Sequence, residues 1–488
     1  MAQKLSIIHI SDLHRITADN VDCLLASFEV EKEYYRANGI AQPSFVVVSG
    51  DIINGSNEKD AIKAQKEIKE QYQVAGKFLV GLSEVFFEGA RGRVIIVPGN
   101  HDMSRYVSIS SMTKIDADDL SPFVKALWED NSNIRWSWKD LSFYDITDKA
   151  VYNARFQDFI DFYDNFYQQG GLNRSFPKDS VRQSFMLDYK DENVTFACFN
   201  SCYHLDHLQS SGYISPNSLS FLSRELLEKK RQGRLIIAVW HHHTQGLPKE
   251  NNYLNYHILD NMSKYGIRLA LHGHQHISGI LNEYRDIFTQ EQMWLVSAGT
   301  VFGNTSDMVP GTKRQFNLLL VEREEKNCNI TLHSREDSTM QNMQPVWEAG
   351  LIGRSHKTVH QFCVELEPIE IKDDESELKA EINRIGREAE KNGDFTLAID
   401  QLLGLDINLP IVRSFLVEYL IKENNPKRIV EILSDSKTVT EAIIYIEACI
   451  KTRDANALIS FMRKADNGVL NDSSVKSMLT EAKALLKV

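Results

Sequence analysis

Five short apolar runs in this chain each end in side chains that bind metal ions well. Runs such as Phe45–Val48 and Leu235–Val239 are continuously apolar, which predicts strands buried on both faces of a sheet. In an α/β scaffold, polar residues that follow several such strands converge at one edge and form a rigid site. The residues concerned are Asp12, His14, Asp51, Asn100, His101, His241, His274 and His276.

Length and composition narrow the class of protein. A chain of 488 residues is too long for one typical domain, which predicts two or three units. It contains no run of about 18 apolar residues, so we expect no membrane span. Six scattered cysteines without a CxxC pair, and a start without a signal peptide, predict a reduced cytoplasmic protein. The net charge of −12 argues against broad DNA affinity, but it does not exclude a local basic groove.

Residues 1–335 alternate apolar strands with helical patterns, which predicts an α/β domain. The Ser215-Pro216 pair, a capping hydroxyl followed by proline, predicts a helix start. Candidate helices cover 20–38, 58–80 and 216–232. Candidate strands cover 4–10, 44–49, 93–98, 184–188, 194–199, 234–240, 267–272, 293–298, 316–322 and 328–333.

An aromatic-rich insertion at 103–183 interrupts this alternation. Phe156, Phe159, Tyr163 and Phe166 fall at helical spacing, which favours an amphipathic helix packed on the body of the domain. The other interpretation is a cap beside the active site that recognises a base or another planar group. The position of the insertion, directly after His101, keeps that interpretation open.

The last third of the chain differs in composition. All six Trp and all fifteen His precede residue 361. Residues 336–372 are predicted to be a connector, and 373–488 consist of successive amphipathic helices. Consecutive helix pairs predict an all-α, solenoid-like domain of the tetratricopeptide type, with a small helical bundle as the alternative.

The residue types at the strand ends indicate a particular metal chemistry. Two Asp, one Asn and four His supply oxygen and nitrogen ligands without any cysteine. Such a set suits Mn, Fe, Zn, Ni or Co better than Ca. Seven ligands exceed one tetrahedral site, so we predict two ions that share a carboxylate.

The five blocks, in order, read DLH, GD, GNHD, WHHH and GHQH. They resemble the calcineurin-like metallophosphoesterase superfamily, with its D-x-H, G-D, G-N-H-D/E, H and G-H-x-H pattern, over roughly residues 4–335. PGNHD and SGYISPNSLSFLSREL resemble the branch that includes class III cyclic nucleotide phosphodiesterases. The resemblance implies a four-layer α/β/β/α sandwich, in which helices cover the outer faces of two mixed sheets.

The resemblance also implies a role for each residue. Asp12, His14 and His276 would hold one ion, Asn100, His241 and His274 the other, and Asp51 would bridge them. A hydroxide between the ions would attack the phosphorus. His101 would protonate the leaving oxygen, and Asp102 would hydrogen-bond His101 and raise its basicity.

Some positions leave alternatives open. The fourth block holds three consecutive histidines, and His242 is the alternative to His241 as the ligand. Arg15 follows DLH and would bind substrate phosphate, or else form a surface ion pair. His204 and His207 follow a strand end on the same rim and would line the substrate pocket, or else lie in a solvated loop.

These observations predict a dinuclear-metal phosphoesterase, with manganese favoured, that cleaves phosphodiester bonds of a nucleotide or nucleic acid. One alternative is a Mn-dependent DNA or RNA nuclease that works with a partner recruited by the helical tail. Another is a protein-interaction scaffold with a regulatory phosphoesterase core. Residues 373–488 are predicted to bind a protein partner or to form homo-oligomers, since solenoids normally present binding surfaces.

Overall fold

A computed structural model of the chain divides it into two compact units, Met1–Glu370 and Ile371–Val488. Each unit has a hydrophobic core of its own, as expected for a chain of this length. The structure describes residues 3–14, 17–127, 129, 132–179, 182–246, 252–254, 257–285, 292–303, 308, 310–324, 326–339, 344–353, 355–366 and 374–488.

Strands and helices alternate through most of the first unit. Its strands are β1 (Gln3–Ile10), β2 (Phe45–Ser49), β3 (Val94–Val97), β4 (Met112–Lys114), β5 (Ile134–Ser137), β6 (Ser142–Ile146), β7 (Ser184–Tyr189), β8 (Val194–Phe199), β9 (Leu235–Val239), β10 (Ile267–His272), β11 (Gly279–Arg285), β12 (Gln292–Ser297), β13 (Gln315–Arg323), β14 (Asn327–Asp337), β15 (Trp347–Ala349) and β16 (Val359–Glu365). Its α-helices are α1 (Val21–Ala37), α2 (Ala61–Phe87), α3 (Arg105–Ser110), α4 (Ser121–Leu127), α5 (Lys149–Asn153), α6 (Gln157–Gln169), α7 (Pro216–Arg231) and α8 (His257–Lys264).

Two mixed sheets carry the strands that end in polar side chains. The first sheet has the strand order β15-β14-β13-β1-β2-β3, and β16 also pairs with β14. The second has the order β11-β12-β10-β9-β8-β7. Strands β1, β2 and β3 are parallel, as are β8, β9, β10 and β12. Because parallel strands end at the same edge, the segments after β1, β2 and β3, and those after β9 and β10, emerge together.

The alternation of side chains along each strand builds four layers. Ile7 and Ile237, from different sheets, lie in one core between the two sheets. Ile8 points the other way and packs with residues of α1, α2 and α6, and Ile236 packs with α7 and α8. The predicted four-layer α/β/β/α sandwich with an all-α C-terminal region is confirmed.

The insertion at 103–183 contains a three-stranded sheet of order β4-β6-β5 together with helices α3 to α6. On α6, Phe159, Tyr163 and Phe166 are buried against the core that includes α1 and α2. The predicted amphipathic helix packed on the domain body is therefore confirmed for this part of the insertion.

The segment 336–372, predicted as a connector, instead adds two strands to the first sheet. Both β15 and β16 pair with β14 in antiparallel fashion. Along β16 only Phe362 and Val364 are buried, because the strand lies with one face in solvent. Such a short, half-exposed strand gives little apolar signal, which explains why the segment was predicted to be a connector.

The second unit is entirely helical over its described residues. A buried ion pair between Arg413 and Glu441 (2.9 Å) joins two of its helices. No helix in the described part of the chain combines the length and the apolar character that a bilayer crossing requires. The helices are α9 (Asp374–Asn392), α10 (Phe395–Leu403), α11 (Pro410–Glu423), α12 (Pro426–Ile432), α13 (Val439–Thr452), α14 (Ala455–Lys464), α15 (Asn467–Asn471) and α16 (Ser473–Leu486).

Candidate metal centre

The loops after β1 and β10 bring Asp12, His14 and His276 together. His276 Nε2 lies 3.1 Å from Asp12 Oδ1, and His14 Nε2 lies 3.2 Å from His276 Nε2. One ligand atom from each residue falls within 4.8 Å of the other two. A carboxylate and two imidazoles at these distances can hold one divalent ion.

A second group forms after β3, β9 and β10. The side-chain oxygen of Asn100 lies 2.9 Å from both His241 Nε2 and His274 Nδ1. The two ring nitrogens are themselves 3.3 Å apart. An amide oxygen and two imidazole nitrogens therefore point at one place, which can hold a second ion.

Asp51 lies between these two groups. Its Oδ2 is 3.3 Å from His241 Nε2 in the second group. Ligand atoms of Asp12, Asp51 and His241 also lie within 4.8 Å of one another. A carboxylate at this place can reach both ion positions, which is what the predicted bridge requires.

The backbone is strained at four of these residues. Asp12, Asp51, His274 and His276 have φ angles of 57°, 53°, 77° and 55°, in the left-handed region that side chains other than glycine rarely adopt. Such conformations cost free energy and persist where the surrounding structure enforces them, often at functional sites. The strained backbone is therefore at residues whose side chains would bind metal.

Two glycines let the carboxylates approach the neighbouring backbone. A Cβ on Gly99 would collide with Asp51 Oδ1, and one on Gly273 would collide with Ser11 Oγ and lie 2.8 Å from Asp12 Oδ2. Real Cβ atoms do not come this close, so a larger residue would displace Asp51 at the first position, and Ser11 and Asp12 at the second. The glycines of GNHD and GHQH thus leave the space in which the two aspartate side chains lie.

Charge and burial prepare the side chains as ligands. Burial alone would raise the pKa of Asp12, but His276 and His241 lower it to about 2. Burial opposes the ionisation of Asp51 too, yet His241 and His101 hold its pKa well below the usual range. Both aspartates are therefore anionic at neutral pH, as metal ligands must be.

The imidazoles differ among themselves. Burial lowers the pKa of His14 and of His274 to about 4, so both are neutral at pH 7 and offer a lone pair. Burial also acts against a charge on His241, but Asp51 outweighs it and raises the pKa to about 9. A metal ion would have to replace that proton, so binding at this position should release it.

The donor set fits two divalent ions. Asp12 Oδ1 is buried and has no hydrogen-bond donor among the described residues, although His276 Nε2 is close. Two pairs of ring nitrogens face each other at 3.2 and 3.3 Å. Buried acceptors are normally satisfied, and a cation in the first group would satisfy Asp12 Oδ1.

Of the three consecutive histidines, His241 places its Nε2 within 3.3 Å of Asp51 Oδ2 and 2.9 Å of the Asn100 side-chain oxygen. Its Nδ1 lies 2.8 Å from the carbonyl oxygen of Ser49, a contact that leaves Nε2 directed at Asp51 and Asn100. The Nδ1 of His242 lies 2.9 Å from the hydroxyl of Ser201, and its ring packs on that of His274 with 4.8 Å between centroids. Successive residues at the strand end point in different directions, as expected.

His101 occupies the open side of the centre. Its backbone N–H donates to Asp51 Oδ1 (2.8 Å), and its Nδ1 lies 3.0 Å from the carbonyl oxygen of Asn54. The ring stacks on His14 with 5.1 Å between centroids. The side chain is 39% exposed, so the Nε2 edge, 3.9 Å from Asp51 Oδ2, is accessible to a substrate.

Contrary to the prediction, Asp102 makes no hydrogen bond to the ring of His101 among the described residues. Its carboxylate accepts hydrogen bonds from the backbone N–H groups of Gly99 (2.8 Å) and Ile52 (3.2 Å) and from the hydroxyl of Tyr72 (3.0 Å). The carbonyl of Asn54 takes the place beside His101 instead. The buried Asp102 side chain therefore joins the loops after β2 and β3, and its predicted effect on His101 basicity has no structural basis.

Replacing Asp102 by Ala is expected to lower the free energy of unfolding by roughly 2–5 kcal/mol, because two buried backbone donors lose their acceptor. Denaturant unfolding followed by circular dichroism measures this. Asp102→Asn, which keeps an acceptor oxygen, should lose less. Unchanged stability in the Ala variant would mean that the carboxylate does not hold these loops.

The predicted substrate residues have different surroundings. Arg15 lies outside the described residues. His207 lines a cavity of about 620 Å³ that His101 and Asn100 also line. His204, by contrast, is not among the described residues of that lining; its ring packs on Tyr213 with 4.2 Å between centroids.

One further residue of the cavity had no predicted role. Arg105 begins α3, only a few residues after GNHD, and lines the cavity with His101. The sequence signal, a cation close behind a metal motif, is too common to select it. Arg105 shares the cavity with the loop at 205–210, and only the fold brings the two segments together.

A family model described as calcineurin-like phosphoesterase matches residues 5–278. No curated protein matches the chain. Similar solved structures include a dimetal phosphatase from Danio rerio, with 12% identity, a TM-score of 0.36, and coverage of 68% of this chain and 96% of that one. The protein TT1561 of Thermus thermophilus has 11% identity, a TM-score of 0.30 and coverage of 64% and 93%.

YfkN from Bacillus subtilis, a calcineurin-like phosphoesterase, has 12% identity, a TM-score of 0.26 and coverage of 75% and 91%. At these identities and TM-scores, the similarities carry no argument about function. The family model is the stronger finding, since it spans more than half of the 488 residues and includes all five blocks of candidate ligands. The chain therefore belongs to the calcineurin-like phosphoesterase family.

Proposed function

We propose that the chain hydrolyses phosphodiester bonds of a nucleotide or nucleic-acid substrate, with His101 as the proton donor. The observation that carries this proposal is the pairing of two ligand groups around Asp51 with an exposed imidazole beside them. Members of this family act on phosphoesters with a dinuclear metal centre, and the Asp and His cluster here can bind metal.

Each residue would have the following role. Asp12, His14 and His276 would hold one ion, Asn100, His241 and His274 the other, and Asp51 would contact both. When bound, two divalent ions would neutralise the phosphate oxygens and lower the pKa of the attacking water. We favour manganese, with Fe, Zn, Ni or Co as alternatives, because the ligands mix oxygen with imidazole nitrogen.

His101 would act on the leaving oxygen. Its Nδ1 donates to the Asn54 carbonyl, which fixes the ring and leaves Nε2 facing the open side. A protonated Nε2 can then give its proton to the oxygen that departs. The cavity that His101 borders has room for a leaving group much larger than water.

A substrate panel tests the proposal. Metal-loaded protein would be incubated with p-nitrophenyl phosphate, bis-p-nitrophenyl phosphate, cyclic nucleotides, dinucleotides, and single- and double-stranded DNA and RNA. We expect the diesters to be cleaved with higher kcat/KM than the monoester. Cleavage of polymers but not dinucleotides would favour the nuclease alternative, and hydrolysis of the monoester alone would overturn the proposal.

We further propose that the helical C-terminal region, predicted as 373–488, mediates oligomerisation or the docking of a protein partner. Apolar side chains such as Leu397 and Ile421 are about half exposed on its helices, which supports a binding surface. Light scattering on the full chain and on a chain shortened before Asp374 tests this. Equal molar mass per chain and equal partner binding would contradict it.

A further inference from the structure

The cavity beside His101 is bounded by two parts of the chain. One part is the segment that contains Asn100, His101 and Arg105, and the other is the loop Leu205–Ser210. A candidate metal ligand and the proposed proton donor thus share this cavity of about 620 Å³. A leaving group that takes its proton from His101 would lie in the cavity as it departs.

Arg105 gives the cavity wall a positive charge. The residue is exposed, and no described carboxylate lies within ion-pair distance of its guanidinium. Among the described residues, therefore, no acid competes with a ligand for this guanidinium. A guanidinium offers paired N–H donors that match the oxygens of a phosphate.

His207 adds a hydrogen-bonding group to the same wall. The hydroxyl of Ser108 accepts the backbone N–H of His207 (3.1 Å) and lies 2.9 Å from the ring Nδ1. A hydroxyl that already accepts can give its own proton to Nδ1, which leaves Nε2–H as a donor. Burial lowers the pKa of His207, so the ring would act as a neutral donor rather than as a cation.

The insertion holds this wall in place. Asp206 Oδ2 accepts from Arg135 Nε (3.0 Å) and from the hydroxyl of Tyr152 (3.2 Å). The Nε of Arg155 donates to the carbonyl oxygen of Leu205 (2.8 Å). These partners are largely buried, so the loop and its His207 are preorganised before any substrate binds.

We infer that this cavity is the leaving-group subsite, and that Arg105 and His207 select leaving groups that carry a second phosphate. The inference rests on the proposed phosphodiesterase function and names its substrate class. Dinucleotides with a terminal phosphate and longer strands supply that chemistry, whereas the leaving group of bis-p-nitrophenyl phosphate does not.

The test uses the full-length, metal-loaded protein and dithymidine monophosphate in three forms: unmodified, 5′-phosphorylated and 3′-phosphorylated. We expect kcat/KM for one phosphorylated form to exceed that for the unmodified form by roughly 10- to 100-fold. Arg105→Met should remove this preference, and Arg105→Lys should retain part of it. The ratio between substrates is the readout, because it cancels any general loss of activity.

Arg36→Met, at an exposed arginine on α1 that pairs with Glu33, is the matched control and should keep the full ratio. The same kcat/KM ratio, measured on longer strands without a terminal phosphate, shows whether an internal phosphate can replace the terminal one. No preference in the wild type, or a preference that Arg105→Met retains, would overturn the inference while diester hydrolysis still stands. Absence of diester hydrolysis in the wild type would instead overturn the proposed function, and this inference with it.

Discussion

Replacing Asp51 by Asn is expected to lower kcat/KM for bis-p-nitrophenyl phosphate by more than roughly 1,000-fold. The side chain is buried between the two ligand groups, and its Oδ2 lies 3.3 Å from His241 Nε2. An amide has almost the same shape but lacks the negative charge, and its NH₂ group cannot bind a cation. Both ions should therefore bind more weakly, and the metal content per chain should fall along with the rate.

Asp118→Asn makes the same chemical change at an exposed position and should leave the rate unaltered. Circular dichroism of the Asp51→Asn protein checks that the fold persists. Undiminished hydrolysis by a folded Asp51→Asn variant would rule out Asp51 as the bridging ligand.

Replacing His101 by Asn should have an effect that depends on the leaving group. With a dinucleotide, whose leaving oxygen is strongly basic, we expect kcat to fall by roughly 100- to 10,000-fold, the usual contribution of a general acid. With bis-p-nitrophenyl phosphate the loss should stay below about 10-fold, because p-nitrophenolate leaves without a proton. The slope of log kcat against the pKa of the leaving group measures this difference.

Metal analysis of the His101→Asn protein serves as the control, since the ring lies outside both ligand groups and ion binding should persist. His204→Asn, at a histidine that packs on Tyr213, is a matched substitution whose effect should not change with the leaving group. Equal losses on both kinds of substrate would contradict a proton-donor role for His101.

The strands that carry the centre could be predicted because burial on both faces requires a continuous run of apolar residues in the sequence. All five residues of β2 and of β9 are apolar or small and buried, so their limits were predicted to within a residue. Strands β15 and β16 lie towards the edge of the first sheet, where pairing with β14 matters more than burial. Backbone pairing of this kind depends on a partner strand and leaves little trace in a local pattern.

Within the centre, the strand ends and the family resemblance indicated which residues meet, but not how each side chain is oriented. Asp102 follows His101 directly, yet its carboxylate faces back to Gly99 and Ile52. Only the path of the loop decides this, and a motif does not describe the path. Arg105 and His207 lie about a hundred residues apart and share a cavity because the insertion holds the second loop against the first.

The central claim is a two-ion hydrolytic centre at the edge where the parallel strands end. Titration of the metal-free chain with Mn²⁺, followed by calorimetry and by hydrolysis of bis-p-nitrophenyl phosphate in the same samples, tests it most directly. We predict no turnover without metal, and a rate that levels off when about two ions are bound per chain. Saturation at one ion with full activity, or turnover that persists after complete removal of metal, would contradict the account.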